Sequence, residues 1–193
     1  GRIAHIDAFD LQPALMATSI AAMRALEVEG VDVGDAAFVA GHSLGEYSAL
    51  CAAGALGVAD TARLLRVRGR AMQSAVPVGE GAMAAVLGLD IAAVEALAAD
   101  AAEGDVCAVA NENDPAQTVV SGTKAAIDRV VAMAKDRGAK RALPLPVSAP
   151  FHCPLMQPAA EAMEAALREV SIDEPRVPVV ANVTAMGLSE PEE

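Results

Sequence analysis

Between Gly81 and Leu145 the apolar pattern changes period in an order that few folds accept. Met83 to Leu87 reads as a strand, Ile91 to Ala102 as a helix, and Val106 to Ala110 and Thr118 to Ser121 as two strands. Lys124 to Lys135 then reads as a helix and Arg141 to Leu145 as a final strand. The order βαββαβ predicts a ferredoxin-like split motif, placed as an inserted subdomain over residues 81–146. The flanking segments, residues 1–80 and 147–193, then form one large α/β domain around it.

That outer domain starts with a helix. Asp10 can cap it, Pro13 sits early where a missing N–H costs little, and the apolar run from Leu15 through Ile20 to Met23 carries it towards Gly30. Its apolar residues lie nearly all round, which predicts burial against a sheet. Ala36 to Ala40, an uninterrupted apolar run between Gly34 and Gly41, predicts a fully buried parallel strand. A second helix follows Ser43 to about Gly54 or Gly57, and a third starts near Asp60 as its cap. A helix over about Leu155 to Val170 and a strand at Val179 to Ala181 complete the pattern. Two strands cannot make a doubly wound sheet, so strands are expected to be missing from both ends. The first residue, Gly1, and the acidic end Glu190 to Glu193 agree with that expectation of a fragment.

Composition narrows the function classes. With 45 Ala, three Phe, one Tyr and no Trp, the core is built from close helix contacts and aliphatic bulk. Four aromatics and a net charge of -12 leave little to stack bases on and a field that repels polyanions, so nucleic acid is not an expected partner. Ala142 to Ala160 carries no formal charge and approaches the length of a membrane span, but Pro144, Pro146, Pro150, Pro154 and Pro158 make it a loop leading into a helix. No membrane association or signal peptide is expected. Cys51, Cys107 and Cys153 are odd in number and widely spaced, which reads as reduced cytoplasmic thiols without a metal site.

The chemistry centres on Gly41-His42-Ser43-Leu44-Gly45, a G-x-S-x-G between a strand and a helix start. This is the pattern of a nucleophile elbow, in which the turn projects the serine Oγ and the glycines let strand and helix backbones pass closely. The alternative is an ordinary turn serine. Three histidines could serve as base. His42 leaves the turn in another direction and reads as a packing residue, and His5 lies in a segment without a supporting pattern. His152 follows Val147 to Phe151 on a proline-framed loop that could deliver it to a domain interface, the alternative being a loop histidine facing solvent. On the helix from Thr61 to Ala75, Arg63, Arg66 and Arg70 share one face as a solvated basic stripe, whereas Arg68 falls with Leu64, Leu65, Met72 and Ala75. A guanidinium on an apolar face must be paired; its fork suits a carboxylate, whether a ligand's or an internal one, or backbone carbonyls at a helix end.

Five segments together carry a resemblance. Gly41 to Leu50, Arg68-Gly69-Arg70-Ala71-Met72-Gln73, Gly81 to Ala85, Asn111 to Gln117, and Ser148 to Cys153 are similar to those of the malonyl-CoA:acyl-carrier-protein transacylases of fatty acid synthesis. Gln12-Pro13-Ala14-Leu15 resembles the family's helix before the elbow strand, where a Gln can face the cleft. The resemblance implies a serine-hydrolase-like parallel-sheet large domain with an inserted ferredoxin-like small domain. It implies Ser43 as the acylated nucleophile, His152 as general base and acid, Arg68 as ligand of the malonyl carboxylate and Leu44 as an oxyanion N–H donor. By the same analogy Phe151 narrows the space beside the α-carbon, and Asn111 and Asn113 line the cleft unless they merely turn the connection from Ala110 to Thr118. Two departures stand out: the family's G-Q-G-S-Q loop and the segment that orients its histidine are not found in this sequence.

The reaction implied is ping-pong malonyl transfer from coenzyme A to an acyl carrier protein in the cytoplasm, without a cofactor. The carrier is typically acidic, so docking on a chain of charge -12 calls for a local basic patch. Arg137, Lys140 and Arg141 are favoured over the Arg63, Arg66, Arg70 stripe because their strand leads towards His152, and both clusters could instead be plain solvated faces. A serine esterase or thioesterase would share Ser43 and His152 but has no use for Arg68 as an acid-binding group. A non-catalytic carrier-binding remnant is the alternative of another class.

Overall fold

The computed structural model describes residues 8–191, in two compact units. The first comprises residues up to Arg70 together with Ala162 onward, and the second runs from Ala71 to Glu161.

In the first unit, helix α1 (Ala8–Val28) packs on α2 (Leu44–Ala52) and on the start of α3 (Val58–Ser74). Met16 and Ile20 of α1 are buried with Cys51 and Leu65. The all-round burial expected of α1 is not found: Leu11, Leu15, Leu26 and Val28 are exposed. Among the described residues, Met16 and Ile20 are covered from α2 and α3 and Met23 packs on a cluster of Val33, Ala49, Ala53, Val177 and Val179, so only one stripe is buried. Asp10 does not cap, because α1 already begins at Ala8; it sits in the first turn, where its charge suits the helix dipole, and lies 3.7 Å from Arg66. Likewise α3 begins before Asp60, whose carboxylate pairs with Arg63.

The sheet of this unit is small. Strand β1 (Val39–Ala40) pairs in parallel with a later strand at Val179–Val180, as expected, but Ala36 and Ala37 are exposed and Phe38 is 57% exposed. The fully buried strand from Ala36 to Ala40 is therefore corrected to a two-residue strand at the sheet edge. An apolar run is buried only where neighbours cover it, and β1 has one neighbour among the described residues.

The second unit follows its sequence pattern closely. It contains β2 (Gly81–Leu87), α4 (Ile91–Ala102), β3 (Cys107–Asp114), β4 (Gln117–Thr123), α5 (Lys124–Met133) and β5 (Arg141–Pro144). The antiparallel order β3-β4-β2-β5 is that of the ferredoxin-like motif. Capping fixes the helices: Asp90 Oδ1 accepts from Ala93 N–H at 2.9 Å, and Thr123 Oγ1 accepts from Ala126 N–H at 3.3 Å. At the far end of α4, Glu103 turns left-handed at φ 48°, and Arg129 of α5 donates to the Ala101 and Ala102 carbonyls at 2.6 and 2.7 Å. A helix end leaves such carbonyls without intrahelical partners, and one side chain joins the two helices by bonding both, the Ala102 carbonyl also accepting from Asp105 N–H at 2.7 Å.

Strand β2 is buried on both faces. Ala84 and Val86 meet Val94, Leu97, Ile127 and Val130 of the helices, while Met83 and Ala85 form a second cluster with Val119, Leu145 and Phe151. Beyond the sheet, α6 (Gln157–Leu167) starts after a 3-10 turn at Pro154–Met156 and carries the chain back to the first unit. There β6 (Val179–Val180) pairs with β1 and, antiparallel, with β7 (Gly187–Leu188), a strand too short for the sequence pattern to single out. Arg176 and Asp32 pair at 2.5 Å beside the latter's own turn, where Asp32 Oδ1 accepts from Gly34 N–H at 2.6 Å.

Candidate active site

The first unit builds its site on the turn between β1 and α2. Ser43 is the N-cap of α2 at φ 54° and ψ -110°, a conformation that L residues seldom adopt. Such strain typically costs ~1–3 kcal/mol and persists only where the surroundings over-determine it. Local bonds begin that work, with Gly45 N–H donating to His42 carbonyl at 2.9 Å and Glu46 N–H to Ser43 carbonyl at 3.1 Å. Gly41 is required for the close passage, since a Cβ there would overlap the Gly45 carbonyl. The expectation that both glycines are needed is corrected for Gly45, where an added Cβ meets nothing within 4 Å. His42 is exposed, not a packing residue. His5 lies outside the described residues.

A long-range partner completes the turn. Asn182 Oδ1 accepts from Ser43 N–H at 2.7 Å, and Asn182 Nδ2 donates to the Gly41 carbonyl at 2.7 Å. The Asn182 backbone N–H in turn donates to Glu46 Oε2 at 3.2 Å. Sequence reasoning missed Asn182. The register could have found it, because Ala40 pairs with Val180 and a polar residue two beyond Val180 falls level with His42, at the carboxyl ends of two parallel strands.

Arg68 lies where the helical wheel put it, half-buried on the inner side of α3. Its Nη1 donates to Gln12 Oε1 at 2.7 Å and its Nη2 to Ser43 Oγ at 2.9 Å. The guanidinium also stands 5.9 Å from the centre of the Tyr47 ring. Burial lowers the Arg68 pKa, with Tyr47 and Glu46 acting in the opposite direction, and burial raises that of Tyr47. Among the described residues, the fork's hydrogen-bond partners are an amide oxygen and a hydroxyl, not an internal carboxylate. Both are neutral acceptors, weaker than an ionised one. Leu44, as the first residue of α2, presents an N–H that has no intrahelical acceptor, at the positive end of the helix dipole.

His152 belongs to the second unit. It stands at φ 58°, so two of the four described non-glycine residues with positive φ are Ser43 and His152, the others being Glu103 and Ala185. Its loop is anchored on both sides. Ser148 Oγ donates to Gln73 Oε1 at 2.7 Å, Cys153 Sγ donates to the Pro150 carbonyl at 3.2 Å, and Phe151 packs against the clusters around Met83 and Met72. Pro150 is buried against Gly81, where any side chain would collide with its ring. A loop histidine facing solvent is thus not what is found: His152 is half-buried.

Asn111 and Asn113 do not turn the connection. Strand β3 extends through them, with register shifts on both sides of the Asn111–Glu112 pair; Asn111 is half-buried and Asn113 exposed. The turn is made instead by Asp114, whose carboxylate accepts from Ala116 N–H at 3.0 Å. Arg137 pairs with Asp100 at 2.5 Å, while Lys140 and Arg141 are exposed, Arg141 opposite Leu87 on β5. Cys51, Cys107 and Cys153 are free thiols. No described helix is long and apolar enough to cross a membrane.

The chain is 51% identical over 173 residues to the malonyl CoA-acyl carrier protein transacylase of Escherichia coli K12, a match covering 89% of this chain and 55% of that protein. It thus spans about half the length of the curated relatives it matches. The acyl-carrier-protein S-malonyltransferase of Bartonella henselae superposes with a TM-score of 0.93 at 54% identity, over 96% of this chain and 60% of that one. A malonyl-transacylase solved in complex with its type II polyketide acyl-carrier protein gives a TM-score of 0.92 at 42% identity, over 96% and 60% of the two chains. The family described as acyl transferase domain matches residues 4–192. With almost none of the sequence left outside that match, the chain belongs to the acyl transferase domain family.

Proposed function

We propose that this chain carries the machinery of malonyl transfer from coenzyme A to the phosphopantetheine thiol of an acyl carrier protein, in fatty acid biosynthesis in the cytoplasm. Ser43 Oγ attacks the malonyl thioester while His152 takes its proton. The oxyanion of the tetrahedral intermediate is met by the Leu44 N–H. Collapse breaks the carbon–sulfur bond, and coenzyme A leaves as a thiol with the proton from His152. The carrier thiol then attacks the malonyl-serine by the same steps in reverse, and Ser43 is restored. Bond making and breaking are complete without a cofactor, malonyl-CoA being substrate.

The single observation that carries the reading is the hydrogen bond from a half-buried Arg68 to Ser43 Oγ. A cation within one hydrogen bond of a strained serine suits an acyl group that ends in a carboxylate, and an esterase or thioesterase acting on neutral acyl groups has no use for it. Gln12 supports Arg68 from the other side. We assign Phe151 to the space beside the malonyl α-carbon, and Asn111 and Asn113 to the lining of the substrate path. Arg137, Lys140 and Arg141 form the favoured docking patch for the acidic carrier. In domain terms, residues 1–80 and 147–193 are the large acyltransferase domain and residues 81–146 the inserted subdomain.

The test is direct. Incubation with malonyl-CoA followed by peptide mass spectrometry should give a malonyl adduct on the peptide containing Ser43, and Ser43→Ala should give none while keeping its circular dichroism spectrum. A folded parent chain without the adduct would favour a non-catalytic carrier-binding role.

A further inference from the structure

The strained turn at Ser43 is closed by a residue 139 positions away, and the bonds of Asn182 have a particular form. One carboxamide bridges the Gly41 carbonyl and the Ser43 N–H, the two backbone groups on either side of His42. A neighbouring strand would offer the same donor and acceptor to that stretch. The side chain therefore continues the β1–β6 ladder one step past its last backbone pair, Ala40 with Val180, into the turn itself. Its orientation is fixed by chemistry, since the amide oxygen must face an N–H and the amide nitrogen a carbonyl. The third bond, from Asn182 N–H to Glu46 Oε2, ties the same residue to the first turn of α2.

We propose that Asn182 is the positioning residue of the nucleophile elbow, holding Ser43 at positive φ so that its Oγ meets the acyl carbon; this rests on the reading of Ser43 as the nucleophile. Three bonds from one residue span the turn from its strand side to its helix side. Asn182 itself touches no reacting atom, and it acts through the peptide that carries the serine. With the Ser43 N–H engaged by Asn182, the oxyanion donor on this side of the turn is left to Leu44.

The experiment compares the parent chain with Asn182→Ala, Asn182→Asp and Ser43→Ala, reading both acylation by malonyl-CoA and backbone hydrogen–deuterium exchange. Asn182→Ala should slow acylation at saturating malonyl-CoA by about 10²-fold, the loss expected of a misaligned reacting atom, with the half-saturating concentration nearly unchanged. Exchange in the peptide spanning 41–46 should quicken about fivefold or more, while β2 keeps its protection. Asn182→Asp keeps the acceptor for Ser43 N–H but sets an oxygen against the Gly41 carbonyl, and should fall between the two. Parent-like acylation with parent-like exchange in Asn182→Ala would overturn the proposal. So would loss of protection throughout α1, α2 and α3 in both Asn182 variants, which would make the residue a general support of the fold. If Ser43→Ala still takes up malonyl, the nucleophile reading fails on its own, and the exchange at 41–46 still reports whether Asn182 holds the turn.

Discussion

Replacing Arg68 by alanine should change which acyl group the serine accepts more than how well it accepts any. The guanidinium makes two hydrogen bonds, to Gln12 Oε1 at 2.7 Å and to Ser43 Oγ at 2.9 Å, and a ring contact with Tyr47 at 5.9 Å. The ring contact lies near the ~6 Å limit of useful cation–π attraction and contributes little. The bond to Ser43 Oγ must be given up whether malonyl or acetyl is transferred, so it cancels from the ratio of the two rates. What remains is the carboxylate. A charge-assisted bond to it is worth on the order of 1.5 to 3 kcal/mol, which at about 1.4 kcal/mol per decade is a roughly 10- to 150-fold loss of malonyl preference over acetyl. Arg68→Lys keeps the charge without the fork and should lose an intermediate amount. Single-turnover acylation by the two thioesters in competition, followed by intact mass, measures the ratio directly. Equal losses on both acyl groups would refute the reasoning and make Arg68 a structural tie between α3, α1 and the elbow.

Gly41→Ala should remove the Ser43 adduct and lower the melting temperature by roughly 2–12 °C, from ~1–3 kcal/mol of overpacking against the Gly45 carbonyl, whereas Gly45→Ala should leave both nearly intact; equal costs would contradict the close passage described. Reversing Lys140 and Arg141 to Glu should slow transfer to the carrier protein and flatten its salt dependence while leaving acylation by malonyl-CoA unchanged; a joint fall in both half-reactions would assign the patch to coenzyme A or the fold. Asp32 is held below the usual aspartate range by the Gly34 N–H and then by Arg176. Its folded pKa is depressed, so the stability it adds is present above the unfolded value of about 3.9 and is lost as pH falls through the folded one. Asp32→Asn should therefore melt earlier than the parent at neutral pH and converge with it in acid, and a gap independent of pH would show that the carboxylate's charge is not the cause.

The second unit was legible because its signals are local. Asp90 and the Glu103-Gly104 pair punctuate α4, and the limits read from the sequence, Ile91 to Ala102, are those found. Arg68 was legible for the same reason, since a regular helix turns spacing into direction. What was misread depends on neighbours. The run from Ala36 to Ala40 has the composition of a buried strand, yet how much of it is covered is decided by residues near Val179. The apolar periphery of α1 was likewise read as buried without knowing what packs there. Asn182 shows the limit most plainly, because nothing beside it in the sequence marks it, and its role follows only from the register that sets it level with His42.

The separation of Ser43 from Asn182 also orders events during synthesis. Residues Ala71 to Glu161 emerge between them as one continuous compact unit, rich in short-range pairings such as the β3–β4 hairpin. Local contacts close quickly, whereas the β1–β6 pairing and the Asn182 bridge must wait until the chain has been made past its last described helix, α6, through Val180 and Asn182. Ser43 is thus translated early and set late. A ribosome-bound chain stopped before Asn182 would carry Ser43 on a turn without its clasp, so that on the proposed reading its Oγ would not yet be aimed.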